Sequence, residues 1–299
     1  MGITAIVLGA AAGGGFPQWN CNCEVCRLAW IGDPRVRART QASLAVSFDR
    51  KRWTLLNASP DLRAQILATR ELHPGELRDS PIESVVLTGA EIDQTAGLLT
   101  LRERSRFNLI ATAATLAAVA GNPMFGALVA DVVSRQAITP GAKFPVGAGL
   151  QAELFMVPGK LPLYLEGENP ETAEESAANV GVEITDGHKR LAYVPGAAAV
   201  TPALHARLSL ADVILFDGTL STDDEMIRSG TGTKPGRRMG HMPIGGDDGS
   251  LAALRGISAR KIFVHINNTN PVLIDRSAER RRAEDAGWEI AEDGMEIVL

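Results

Sequence analysis

The stretch Leu-Thr-Gly-Ala-Glu-Ile-Asp-Gln-Thr-Ala-Gly-Leu-Leu, residues 87–99, constrains this chain more than any other. Before it, Ser84, Val85, Val86 and Leu87 make a largely apolar run that reads as a buried strand. Within and after it, Ala96, Leu98, Leu99 and Leu101 suit a helix over 93–104 that begins near Asp93. A strand-to-helix turn presents its side chains to the cleft beyond the strand end, where metals and substrates bind in α/β proteins. Glu91 and Asp93 are therefore candidate metal ligands, with helix capping as the alternative role of Asp93.

A second cluster lies nearer the N-terminus. An expected strand over 3–8 enters a glycine-rich loop, followed by Cys21-Asn22-Cys23-Glu24-Val25-Cys26. Three cysteines cannot make a disulfide framework, and thiols this close together can converge on one ion. Zn²⁺ takes thiolates at about 2.3 Å in tetrahedral sites. Cys21, Cys23 and Cys26 are thus expected to bind zinc, with a fourth ligand from elsewhere.

Strands are expected over 40–48 and 53–58, a helix over 60–70 with Ser59 as its cap, a strand over 107–111, and helices over 113–120 and 125–136. Extended chain over 150–157 precedes an acidic, proline-bearing stretch over 160–179 that reads as a surface loop or lid. Asp186-Gly187 is a two-residue turn signal between strands over 180–185 and 190–195. Strands over 212–217 and 261–266, helices over 250–257 and 277–286, and a hairpin over 288–299 turning at Asp293-Gly294 complete the chain. Hairpins followed by a helix occur once in each half, which implies two packed sheets with helices outside. That is an α/β fold, a four-layer αββα sandwich formed by residues 1–299 as one domain, with the cysteine-bearing loop over 9–26 at its start.

Asp217 ends an apolar strand, where a carboxylate is costly to bury unless it is paired or bound to a metal. His241 follows Gly240 in a loop, and His265 lies at the end of the strand over 261–266. With Glu91 and Asp93, these residues fall at strand ends or in loops, which a layered fold can gather at one edge. Two imidazoles with carboxylates and open positions favour non-haem Fe(II), whereas histidine-richer sets favour Zn²⁺. His73 and His188 are expected at the surface. A net charge of −5 gives no nucleic-acid footprint, and no apolar run approaches the roughly 20 residues that span a bilayer. The first residues lack the positive start of a secretory signal, so a cytoplasmic chain is expected.

The spacing of residues 89–98 resembles the metal motif of the metallo-β-lactamase fold, His-x-His-x-Asp-His-x-x-Gly-Leu. Gly89, Glu91 and Gln94 stand in place of three histidines, and Asp93, Gly97 and Leu98 match. Gln94 offers only a neutral amide oxygen, a poor ligand for a borderline metal. Residues 13–23, Arg39-Thr40-Gln41, Asn57-Ala58-Ser59-Pro60-Asp61, Phe216-Asp217-Gly218-Thr219, Met239-Gly240-His241 and His265-Ile266-Asn267-Asn268-Thr269-Asn270-Pro271 resemble the coenzyme PQQ synthesis protein B family, and the resemblance runs over nearly the whole chain.

The resemblance implies a metallo-β-lactamase-like fold, a structural zinc on the three cysteines and a role in making pyrroloquinoline quinone (PQQ). It further implies Asp93, Asp217 and His265 as ligands of an active-site metal, Glu91 as a weaker candidate, and His241 as a ligand or general acid/base. The implied chemistry is Fe(II)- and O₂-dependent hydroxylation of the tyrosine ring in a cross-linked Glu-Tyr intermediate. Carriage of PQQ or its precursor toward the periplasm, and zinc-dependent hydrolysis, are the alternatives. A carboxylate-rich small-molecule substrate calls for cations in the cavity, and Arg39, Arg63, Lys234, Arg237 and Arg238 are candidates. The expected partners are that substrate, other PQQ biosynthesis proteins and a second copy of the chain in a homodimer. Without a membrane segment, transport would need a further partner.

Overall fold

The computed structural model describes residues 2–167, 172 and 174–299. Strands β1 (Thr4–Gly9), β2 (Ser43–Ser47), β3 (Trp53–Leu56), β4 (Ile82–Val86), β5 (Phe107–Ala111) and β6 (Val133–Ala137) come first. They are followed by β7 (Lys143–Pro145), β8 (Gln151–Pro158), β9 (Glu175–Thr185), β10 (Arg190–Val194), β11 (Val213–Asp217), β12 (Arg260–Val264), β13 (Trp288–Ile290) and β14 (Glu296–Val298). One seven-stranded sheet has the order β14-β1-β2-β3-β4-β5-β6, and the other runs β13-β12-β11-β10-β9-β8-β7. The helices are α1 (Glu24–Trp30), α2 (Leu62–Ala68), α3 (Ile92–Thr95), α4 (Ala113–Ala120), α5 (Pro202–Leu208), α6 (Glu225–Arg228), α7 (Ser250–Ala253) and α8 (Ala278–Asp285).

Alternation of side chains along each strand sorts the apolar residues into three cores. Val86 and Ile110 of the first sheet meet Leu191, Tyr193, Leu215 and Ile262 of the second in a central core between the sheets. Val85, Leu109 and Ala111 point the other way, against Leu62 of α2, Leu98 and Val119 of α4. Ala192, Val194, Phe216 and Phe263 pack on Val25 and Cys26 of α1, Leu204 and Leu208 of α5 and Ala283 of α8. Both faces of each sheet are thus covered, which is why the central strands read as unbroken apolar runs. Three cores between four layers are the αββα sandwich expected from the sequence.

Four local expectations are corrected. The helix expected over 93–104 is one turn, α3, that tightens into a 3₁₀ segment, Ala96–Arg102. The helix over 125–136 is replaced by a 3₁₀ turn, Pro123–Ala127, and edge strand β6, whose backbone pairs in parallel with β5. The C-terminal hairpin does not form, because β13 pairs with β12 in one sheet and β14 with β1 in the other. Ser59 does not cap α2. Asp61 is the N-cap residue, and the Ser59 hydroxyl donates to Gln65 Oε1 at 3.1 Å. In the lid expected over 160–179, residues 168–171 and 173, apart from residue 172, lie outside the described residues, while its end, from Glu175, is part of β9. The hairpin of β9 and β10 across Asp186-Gly187 is present.

Strands β10, β11 and β12 are parallel to one another, as are β3, β4 and β5. Their C-terminal ends therefore lie at common edges, where side chains from distant segments meet in the cleft beyond the sheets.

Candidate functional site

Asp217 ends β11 and is fully buried. Its Oδ2 accepts from Ala197 N at 2.9 Å and lies 2.8 Å from His241 Nδ1, while its Oδ1 accepts from Thr219 N at 3.0 Å and from the Thr219 hydroxyl at 2.6 Å. His241 is placed by the loop before it, where Gly240 takes the left-handed conformation (φ 87°) that a Cβ disfavours. His265 leaves β12 with the left-handed φ of 56°, a strained conformation for a residue with a side chain, costing on the order of 1 kcal/mol or more. This turn aims the ring at the cleft, with Nε2 2.8 Å from Asp93 Oδ2 and Nδ1 2.8 Å from the Thr219 hydroxyl. The two imidazoles stack with centroids 5.1 Å apart.

Charge follows from these contacts. Burial disfavours the ionised form of Asp93, but its hydrogen bond to His265 and the nearby His241 more than offset this and hold the carboxyl below its ordinary range. Burial likewise disfavours the His265 cation, yet Asp93 and Asp217 raise its pKa above the usual imidazole value. Burial opposes ionisation of Asp217 as well, and His241 reverses the balance. Such a site favours a cation, whether a proton on the ring or a metal ion among the donors.

Among the described residues, two clusters bring three metal-ligating atoms within 4.8 Å of one another: Asp217, His241 and His265, and Cys21, Cys23 and Cys26. In the second, α1 starts at the cysteines, with Cys23 Sγ accepting from Cys26 N at 3.5 Å. Asn268 closes the cluster from the far end of the chain. Its backbone oxygen lies 3.7 Å from Cys23 Sγ and 3.8 Å from Cys26 Sγ. Burial pushes the Cys23 thiol up to about 12, so only a strong local charge such as a bound zinc ion would turn it into a thiolate.

Other positions singled out in the sequence take different roles. The Glu91 carboxylate turns toward residues 160–166, bonded to Lys160 Nζ at 2.8 Å and Leu163 N at 3.1 Å. Gln94 Oε1 accepts from Glu91 N at 3.1 Å and its Nε2 donates to Thr88 Oγ1 at 3.3 Å, so the amide caps α3. A Cβ at Gly89 would stand 2.6 Å from Gln94 Oε1, so a histidine at 89 and this glutamine arrangement compete for one space. Arg39 is buried with Nε donating to Ala291 O at 2.9 Å, Nη1 to Arg37 O at 2.9 Å, and Glu292 beside Nη2. Arg237 is held by Asp248 at 2.7 Å and Ala198 O at 3.2 Å, and Arg63 is exposed. None of these three lines the cavity over the histidines, whereas Lys234 and Arg238 do. That cavity, about 510 Å³, is also lined by Asp93, Lys160, Glu166 and Thr219. His73 and His188 are exposed, as expected.

Thr219, Asn268, Lys160 and Glu166 were not site candidates in the sequence. The first two lie inside the stretches 216–219 and 265–271 that carried the family resemblance. Nothing in the sequence marked the other two, which fall in a stretch without periodicity.

The family model for a beta-lactamase superfamily domain matches residues 52–266. Coenzyme PQQ synthesis protein B of Methylorubrum extorquens strain AM1 is 54% identical over 296 residues, covering 98% of this chain and 99% of that protein. The protein of the same name from Ruegeria pomeroyi is 53% identical over 294 residues, with 98% and 99% covered. The crystal structure of Zn²⁺-bound PqqB from Methylobacterium extorquens matches with a TM-score of 0.97 at 54% identity, covering 99% of this chain and 100% of that one. A diphosphatase from the PhnP family, with a TM-score of 0.71 at 19% identity and 100% and 98% covered, shares the fold alone. The sandwich is a metallo-β-lactamase fold, and by its full-length identity to these relatives the chain belongs to the coenzyme PQQ synthesis protein B family.

Proposed function

We propose that this protein acts in PQQ biosynthesis as a metal-dependent oxygenase that hydroxylates the tyrosine ring of a cross-linked Glu-Tyr intermediate. The family supports the pathway. The observation that carries the chemistry is that Asp93, His241 and His265 line one cavity, with Asp217 buried against His241, two imidazoles with two carboxylates, a donor set that suits non-haem Fe(II). A hydrolytic zinc site of the same fold uses more histidines, and here Glu91 and Gln94 are engaged elsewhere.

In this reading Asp217, His241, His265 and Asp93 would hold the iron, which when bound supplies the activation of O₂. The protein's part is positioning. The Thr219 hydroxyl donates to Asp217 and lies 2.8 Å from His265 Nδ1, which fixes the ring so that Nε2 faces Asp93 at the cavity. Lys160, Lys234 and Arg238 supply cations for substrate carboxylates. Cys21, Cys23 and Cys26, with Asn268 O as the fourth donor, would hold a zinc ion that joins α1 to the loop after β12.

Anaerobic loading with Fe(II), followed by O₂, a two-electron reductant and the cross-linked Glu-Tyr intermediate, tests this, because one oxygen atom enters the ring and the other must leave as water. O₂ uptake with an added oxygen atom in the product is the expected result. Tight binding of the intermediate with no O₂ uptake would replace the oxygenase by a carrier, and turnover with Zn²⁺ alone would replace it by a hydrolase.

A further inference from the structure

Along the cavity wall, three cations, Lys160 from one segment and Lys234 and Arg238 from another, surround one carboxylate of the chain itself. Glu166 Oε2 lies 3.0 Å from Lys160 Nζ, and Glu166 Oε1 lies 3.1 Å from Lys234 Nζ and 3.5 Å from Arg238 Nη1. The Glu166 side chain is only 7% exposed. Burial disfavours its charge, but Lys160 and Lys234 outweigh that and keep it ionised.

The segment that carries Glu166 is held mainly by polar contacts. Lys160 and Leu163 N reach Glu91, and the Tyr164 hydroxyl donates to Ala90 O at 2.8 Å. Of its apolar side chains, Leu161, Leu163 and Leu165 are about half exposed and Pro162 is buried. Moving the end of this strap that carries Glu166, residues 163–167, while Lys160 stays on Glu91, would therefore forfeit little apolar burial, the mark of a low-stability segment. With Lys160 kept in place by Glu91, a carboxylate from outside that displaces the Glu166 side chain would meet Lys160, Lys234 and Arg238.

We propose that Lys160, Lys234 and Arg238 form a carboxylate subsite for the substrate, and that Glu166 is its internal occupant, displaced when a carboxylate-bearing ligand enters. This rests on the reading of the cavity as a substrate site and adds which groups recognise the ligand and what competes with it. Occupancy by Glu166 lowers the apparent affinity by the fraction of time the subsite is free. Removing the carboxylate while keeping its shape should then tighten binding. A merely structural Glu166 has the opposite signature, because its loss would loosen the strap and weaken binding.

Equilibrium dialysis of PQQ, a tricarboxylate, against the metal-loaded full chain reads the difference, with Glu166→Gln, Lys234→Gln and the PQQ trimethyl ester as the comparisons. Glu166→Gln is expected to bind PQQ on the order of tenfold more tightly and Lys234→Gln several-fold more weakly, while the trimethyl ester shows no gain from Glu166→Gln. Lys234 is nearly half exposed, so its substitution leaves a folded chain in which the sign can be read even where Glu166→Gln does not fold. If both variants bind PQQ more weakly, if neither changes, or if the ester gains equally, Glu166 is not a competing carboxylate, although the cavity remains a PQQ-binding site. If neither the wild-type chain nor either variant binds PQQ, there is no such carboxylate subsite, whereas the oxygenase reading stands or falls on O₂ uptake with the cross-linked Glu-Tyr intermediate.

Discussion

His265 Nε2 and Asp93 Oδ2 stand 2.8 Å apart although 172 residues separate them in the chain, and the contact joins the ends of the two sheets. Asp93 comes from α3, which follows β4, and His265 from the end of β12, so this pair forms only when both sheets are packed. Asp93→Asn keeps the shape and removes the charge. It is expected to lower Fe(II) affinity at least about a hundredfold, beyond the 10–100-fold usual for outer partners, while zinc stays on the cysteines. Fe(II) titration with separate zinc and iron counts checks both halves.

Thr219→Val removes the hydroxyl shared by Asp217 and His265 without changing side-chain size. The expected loss is about 10–100-fold in active-site metal affinity. Titration of the variant beside the wild type measures it, and an unchanged affinity would leave Thr219 without a role in orienting the ring.

Much of this arrangement was legible in the sequence. Asp93, Asp217 and His265 each follow an apolar run, and a polar residue ending a buried strand signals a cleft. The four layers followed from the hairpins followed by a helix that occur once in each half. What the chain does not spell out is the partner of each group. The residues of β13 and β14 look like a hairpin because they are close in sequence, yet each joins a different sheet. Phe125, Leu128, Val132 and Val133 have helical spacing, but pairing with β5 decides in favour of a strand. Arg39 looked like a substrate cation because sequence cannot show that Ala291 O and Arg37 O take its donors.

Gln94→Ala should cost about 1 kcal/mol, the usual value of a lost helix cap, and leave metal stoichiometry unchanged. Thermal denaturation gives the first number and elemental analysis the second. Loss of iron together with Gln94 would instead make its amide a ligand.

Glu225 is a buried carboxyl raised from 4.5 to about 7 by burial, against hydrogen bonds from the Thr269 hydroxyl and Ser221 N, each 2.6 Å long. Between pH 4.5 and about 7 the folded chain keeps a proton that the unfolded chain has released, so this group lowers stability as pH rises through that window. Glu225→Gln cannot titrate. Its stability relative to wild type should therefore improve by about 2–3 kcal/mol between pH 5 and pH 8, read from denaturant melts at both pH values.

The most direct test of the two-site arrangement is a metal count after anaerobic Fe(II) titration of the zinc-loaded chain, repeated on His265→Ala and Cys26→Ala. One zinc and one iron in the wild type are expected, with only the iron lost in His265→Ala and only the zinc lost in Cys26→Ala. A wild-type chain that holds zinc on the cysteines and no iron at Asp93, Asp217, His241 and His265 would contradict the oxygenase assignment.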